Sequence, residues 1–148
     1  MMDYREMVEM TREITISIEG LQPGQAQDSI RVKAQGTYDI RNGMHYIHYE
    51  EVSEDNGDIS SNLIKISTQR IEMIKKGSIS TQMSFDLRND TKALYQTPFG
   101  NLNFNIHTVY LKVKEREEEL IAELHYSLSS EEDLISDNAI IIKVSPQN

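Results

Sequence analysis

The sequence contains no cysteine and no tryptophan, and its 148 residues include only three prolines and seven glycines. Without cysteine there is no disulfide framework, no thiolate nucleophile and no cysteine-ligated zinc site. The glycines are scattered singly, so none of them forms a glycine-rich loop that could cradle a phosphate. The longest apolar run, residues 139–142, is far shorter than the roughly 18 residues of a membrane-spanning helix.

Acidic residues dominate the charge, with 24 Asp and Glu against 15 Lys and Arg and a formal net charge of −9 at pH 7. A field of this sign repels phosphate backbones and anionic lipid surfaces, so we expect neither nucleic acid nor membrane as a partner. The first thirteen residues lack the apolar stretch of about 7–15 residues that marks a signal peptide. We therefore expect a cytoplasmic protein.

Apolar and polar residues alternate along most of the chain, with the period of half-buried β-strands. Turn-forming residues separate these segments at short intervals, which favours hairpins over the long crossovers of a parallel sheet. A meander of this many strands is expected to close, because closure removes unpaired edges. We predict an all-β, antiparallel up-and-down barrel of about eight to ten strands with little helix. It is expected to form a single domain over residues 1–148, with 1–11 disordered or a short helical lead-in.

Asn42-Gly43 is the strongest hairpin signal, because a type I′ turn needs a positive φ at both central positions. Counting outward from a two-residue turn places Gly36 opposite Tyr49 and Ala34 opposite Glu51, all on the apolar face. The aromatic ring of Tyr49 would then cover the bare backbone of the glycine.

An inward carboxylate such as that of Glu51 is costly unless it is paired, hydrogen-bonded or protonated. Arg12, in phase with the inner residues of the first strand, is one candidate partner, and Lys65 is another. The alternative is that Glu51 lies at the mouth of the barrel and meets water.

The alternating frame slips twice, which indicates a turn or bulge within Ser67–Arg70 and a bulge near His107–Thr108. Short helical turns are expected within Val8–Glu13 and within Ser129–Ile135, the second with a serine cap.

A series of short motifs runs through these segments: Gly36-x-Tyr38, Tyr46–Glu51, Ile64–Ile66, Met83-x-Phe85, Thr97–Gly100, Ile106-x-Thr108, Leu124-x-Tyr126-x-Leu128 and Asn138. Their order and spacing, from about Ile14 to Val144, resemble the YwiB-like family of small uncharacterised bacterial proteins. The resemblance implies a calycin-like barrel, similar to lipocalins, and a family without an established activity. The chain departs from that pattern at Lys75-Lys76-Gly77, where an arginine is expected before the Lys-Gly pair.

No metal or catalytic constellation stands out. His45 and His48 are three apart on a strand and face opposite ways, and His107 and His125, even as neighbours, lack a third ligand. The adjacent carboxylates of Glu50-Glu51 also face apart, and no Gly-x-Ser-x-Gly motif occurs. We therefore predict no catalytic residues, no metal and no cofactor, and we rank an enzyme of unknown class below the hypotheses that follow.

The inner frames mix small residues with tyrosines, so the interior could hold one small ligand or be filled by its own side chains. The first hypothesis is a non-enzymatic barrel that binds a small amphipathic molecule, with Glu51 and Arg12 at its charged end. The alternative is a structural or protein-interaction module with a filled lumen, acting through Tyr46, His48 and Tyr110 or as a homodimer. The candidate ligand-binding residues are Arg12, Tyr38, Tyr49, Glu51, Thr108 and Tyr126.

Overall fold

Ten antiparallel strands form a closed barrel in the computed structural model, which describes residues 12–21, 30–54, 56–131 and 133–147. Each strand pairs with its neighbours in sequence, and β1 pairs with β10 to complete the circle. The predicted up-and-down barrel is confirmed. The expected lead-in at residues 1–11 lies outside the described residues. The strands are β1 (Arg12–Leu21), β2 (Ile30–Arg41), β3 (Met44–Val52), β4 (Ile59–Ile66), β5 (Arg70–Lys76), β6 (Ser80–Asp86), β7 (Thr91–Thr97), β8 (Gly100–Glu115), β9 (Leu120–Ser130) and β10 (Asp133–Pro146).

The β2–β3 hairpin has the predicted turn, since Asn42 and Gly43 adopt φ angles of 52° and 79°. The register follows from it, and Gly36 pairs with Tyr49 as expected. The predicted pair of Ala34 with Glu51 is wrong, because the β2–β3 ladder ends at Gly36 and Tyr49. The parity of the strand is unchanged, so Tyr49 still faces the interior and is buried.

Both predicted frame slips are present. A tight turn separates Ile66 from Arg70, and it is closed by hydrogen bonds from the amide and hydroxyl of Ser67 to the Arg70 carbonyl. The β8–β9 register shifts between Thr108 and Tyr110, which places the bulge at Val109.

The expected helical turn within Ser129–Ile135 is wrong. β9 continues to Ser130 and β10 begins at Asp133, so the segment is a tight hairpin in which Glu131 adopts a φ of 55°. The strand ladder satisfies the backbone of the flanking residues, which outweighs the local capping preference of the serines. Of the other expected turn, residues 8–11 lie outside the described residues and Glu13 belongs to β1. In the described part of the chain, no helix is long and apolar enough to cross a membrane.

The inner face of the barrel is packed with aliphatic and aromatic side chains. Phe85 is fully buried, and its ring centroid lies 4.7 Å from that of Tyr126. Packing of this kind is the main stabilising contribution that the fold can offer, because the chain has no disulfide. The largest fully buried side chains are Ile16, Ile47, Ile64, Ile66, Ile71, Phe85, Ile106, Leu124 and Ile142.

Candidate functional site

The six residues predicted to bind a ligand lie in three separate places. One pair faces across β1 and β2, a second pair belongs to the far half of β3, and a third pair faces across β8 and β9. The barrel therefore brings each pair together but does not assemble one site from all six. The pairs are Arg12 with Tyr38, Tyr49 with Glu51, and Thr108 with Tyr126.

The predicted pairing of Glu51 with Arg12 is wrong. Arg12 lines a cleft together with His45 at the start of β3, whereas Glu51 lies six residues further along that strand. The register places Arg12 level with Ile47, four residues before Glu51, and the two side chains line clefts at opposite ends of the barrel. The other candidate partner, Lys65, faces outward, where its ammonium group lies 4.0 Å from Glu72. Glu51 is half-buried beside a cleft of its own, as the barrel-mouth alternative expects.

A cleft of about 540 Å³, which we name the Tyr38 cleft, opens at the end of the barrel where β2 turns into β3. Its wall is apolar, and its rim is formed by the β8–β9 turn and the end of β10. The lining residues are Arg12, Ile14, Tyr38, Ile40, His45, Glu115–Glu119, Leu120 and Val144–Pro146.

A hydrogen-bonded chain of three side chains runs along this cleft. The Tyr38 hydroxyl lies 2.6 Å from Nδ1 of His45, and Nε2 of His45 lies 2.5 Å from a carboxylate oxygen of Glu115. A neutral imidazole fits this arrangement, with Nε2–H donating to the carboxylate and Nδ1 accepting from the phenol. The His45 side chain is buried and that of Glu115 is 60% exposed, so the chain links the interior to solvent.

Charge is concentrated at the mouth of the Tyr38 cleft. Glu115 and Glu117–Glu119 supply four carboxylates, against the guanidinium groups of Arg12 and Arg116. Burial raises the pKa of Tyr38, the nearby Glu115 carboxylate raises it further, and Arg12 opposes both. Tyr38 therefore remains a neutral phenol near pH 7 and acts as a hydrogen-bond donor rather than as a tyrosinate nucleophile.

A second cleft of about 650 Å³, which we name the Glu51 cleft, lies at the opposite end. Burial raises the pKa of Tyr49, and the charge of Glu51 and a hydrogen bond to it act in the same direction. Tyr49 therefore stays a neutral phenol beside the Glu51 carboxylate. Buried Ser60 lies opposite Glu51 on β4, and Lys75 also lines the cleft.

Thr108 and Tyr126 lie in the packed interior rather than in either cleft. Thr108 is 4% exposed, and its hydroxyl has no hydrogen-bond partner among the described residues. Burial raises the pKa of Tyr126 to about 12, and Tyr95 adds to this shift. The phenol must therefore stay protonated while the barrel is folded.

We expect the barrel to lose stability as the pH rises from 10 to about 12. The folded state keeps the Tyr126 proton in this range, whereas the unfolded chain, with an ordinary tyrosine pKa of 10.0, releases it. This one group should lower the free energy of unfolding by about 1.4 kcal/mol per pH unit. Urea unfolding followed by circular dichroism measures the slope, and Tyr126→Phe should make it shallower. An unchanged slope in that variant contradicts the assignment.

His45 and Glu115 were not among the predicted site residues. The signal was present, because His45 faces Ile40 across the hairpin and Glu115 continues the inner frame of Leu111 and Val113. By its sequence alone, a charged run such as 115–119 is typical of a solvated turn. That holds for an exposed side chain such as Glu117, but Glu115 also binds His45.

Two of the remaining histidines, His107 and His125, pair with carboxylates on the outer face. His107 pairs with Asp90 at 2.7 Å and His125 pairs with Glu123 at 2.8 Å, and His125 lies opposite Tyr110 rather than beside His107. Within the described residues, no three side chains of the metal-binding types come together.

Two outward tyrosines of the alternative hypothesis are engaged by neighbouring side chains. The Tyr46 ring lies 5.4 Å from the Arg41 guanidinium and 5.8 Å from the Lys65 ammonium group. The Tyr110 ring is tilted against His125 at 4.9 Å.

The fold is similar to that of a solved bacterial protein. The crystal structure of the ywiB protein from Bacillus subtilis superposes with a TM-score of 0.81, at 17% sequence identity, covering 99% of this chain and all of the other. At that identity the likeness shows the fold alone, and no curated protein matches the chain. The resemblance inferred from the motifs is confirmed. Residues 14–142 match the family described as a domain of unknown function (DUF1934), and the chain belongs to that family.

Proposed function

We propose that this barrel binds a small amphipathic molecule in the Tyr38 cleft and does not transform it. The apolar part of the molecule would contact Ile14, Ile40, Leu120 and Val144. Its polar head would lie at the mouth, where Glu115 accepts hydrogen bonds. The volume of about 540 Å³ falls within the usual range of ligand pockets, about 300–1,000 Å³.

The observation that carries this proposal is the buried hydrogen-bonded chain from Tyr38 through His45 to Glu115. Burying an imidazole is costly unless both ring nitrogens are satisfied, and here both are. The chain holds the Glu115 carboxylate in one position above an apolar wall, which is the preorganisation that a binding site requires.

The charge of the mouth indicates the chemistry of the head group. Four carboxylates against two guanidinium groups favour a head that is cationic or rich in hydrogen-bond donors. Tyr38 is protonated and Nδ1 of His45 is occupied by it, so both groups are placed for recognition rather than for attack on a substrate. A comparison with ligand-carrying barrels would add only an analogy of fold.

Native mass spectrometry of the full chain purified from its own host tests the proposal. We expect a co-purifying small molecule that is released on denaturation. When the released molecule is titrated back, Glu115→Gln should weaken its binding about tenfold, because a charge-assisted hydrogen bond is lost.

A matched control is Glu123→Gln, because Glu123 also accepts from a histidine Nε2 but lies on the outer face. It should bind the molecule as the wild type does. A wild-type protein with no added mass, or equal binding by the two variants, contradicts the proposal.

A further inference from the structure

The barrel wall opens between β2 and β3. Their ladder ends at Gly36 and Tyr49, although both strands continue. β2 stays paired with β1 as far as the Gly20–Ile30 pair, and β3 stays paired with β4 as far as Val52. Among the described residues of these two strands, no further pair bridges them, and the gap coincides with the Glu51 cleft.

Backbone groups that lack a ladder partner within the described part of the chain face this gap. The residues that flank a two-residue hairpin turn exchange both of their backbone hydrogen bonds, and the bonded pairs then recur at every second residue. Counted from the turn, Arg41–Met44 is the first bonded pair and Thr37–His48 is the last one in the ladder. If the ladder continued, the next bonded pairs would be Gln35–Glu50 and Lys33–Val52. These four residues therefore direct their N–H and C=O groups into the gap, where they have no ladder partner among the residues that the structure describes.

We propose that the gap binds an extended peptide segment of mixed charge, which adds its main chain to the free edges of β2 and β3. Unpaired strand edges are the template on which such strand addition occurs. The free edge of β2, from Arg31 to Gln35, is about 16 Å long, enough for a segment of four or five residues.

The side chains around the gap suit this occupant. Val52, Ile59 and Ile79 are large apolar residues that line the cleft and are 64%, 61% and 49% exposed. A bound strand would cover them, which supplies apolar burial in addition to the main-chain hydrogen bonds.

The charged groups at the gap favour a partner that carries both a positive and a negative side chain. Lys33 and Lys75 have no ion-pair partner among the described residues, nor have Glu50 and Glu54, and all four line the cleft. A segment carrying one acidic and one basic side chain would match them. The site lies at the opposite end of the barrel from the Tyr38 cleft, so it is independent of the proposed small-molecule function.

Amide hydrogen exchange of the free protein, followed by NMR, is the first test. The amides of Val32 and Ala34 are directed at β1 and should be protected, whereas those of Lys33 and Gln35 should exchange rapidly. Thr37 and Asp39 are the internal control, because their amides also point towards β3 but are paired with it. These two amides should therefore be protected. Slow exchange at Lys33 and Gln35 would overturn the proposal.

Selection of short random peptides displayed on phage, with the full-length protein as bait, is the second test. The enriched peptides should carry both charges, and a synthetic copy should protect the amides of Lys33 and Gln35 on binding. Lys33→Pro removes the N–H group that faces the gap and leaves the ladder bonds to β1 in place. It should therefore weaken peptide binding about tenfold relative to Lys33→Ala.

Three outcomes of the peptide experiments also overturn the strand-addition proposal: no enriched peptide, equal binding by the proline and alanine variants, or a bound peptide that leaves both amides unprotected. If the proline variant does not fold, the exchange measurement on the wild-type complex decides the question alone.

Discussion

Alanine in place of Gly36 is expected to lower the free energy of unfolding by at least about 3 kcal/mol. A Cβ atom at this position would collide with the backbone carbonyl oxygen of His48 and would lie 3.0 Å from the Cβ of Tyr49. A carbonyl in the adjacent strand cannot move aside as a flexible side chain can, so the substitution must separate β2 from β3. Urea unfolding of the variant measures the loss.

Gly57→Ala is the matched control, because Gly57 adopts a φ of 74° and has open space around it. That change should cost only about 1–2 kcal/mol, from left-handed backbone strain without a collision. A Gly36 variant as stable as the wild type would show that the two strands do not approach each other as closely as the register requires.

Phe85→Ala is expected to cost about 3–5 kcal/mol, the range for deleting a fully buried aromatic ring. Phe85 is completely buried, and its ring packs against Tyr126 with centroids 4.7 Å apart. The same substitution at Phe99, which is 99% exposed in the β7–β8 turn, should change stability by less than about 0.5 kcal/mol.

The Phe85 result also tests whether the middle of the barrel is filled. A packed interior responds to the loss of a ring with a cavity and a large destabilisation, whereas a lumen that already holds open space would respond weakly. Equal stability of the Phe85 and Phe99 variants would therefore contradict the packed centre described above.

The face to which each side chain points could be predicted from the sequence, because strand parity is local. Asn42-Gly43 sets the register of β2 against β3, and counting from it places Tyr49 and Glu51 inside. The count does not depend on the rest of the barrel, so it remains correct even where the ladder itself ends.

The height of a residue along the barrel could not be predicted in the same way. Parity assigns Arg12 and Glu51 to one face but carries no information on how far apart the two residues lie along the barrel. That distance depends on where each strand starts relative to its neighbours around the closed sheet. For the same reason the sequence does not predict the pairing of His45 with Glu115, which lie 70 residues apart in the chain.

The gap between β2 and β3 could not be predicted from the sequence either. It begins at Gly36, where the backbone of β3 occupies the space that a side chain would need. The glycine itself was noted as a partner for the ring of Tyr49. Its close approach to His48 depends on the twist and closure of the whole sheet, which local patterning does not report.

The most direct test of the proposed function is a high-resolution crystal structure of the protein purified from its own host. The account predicts density for a small amphipathic molecule in the Tyr38 cleft, with its head within hydrogen-bonding distance of the Glu115 carboxylate. A cleft that contains only water in those crystals would contradict the account.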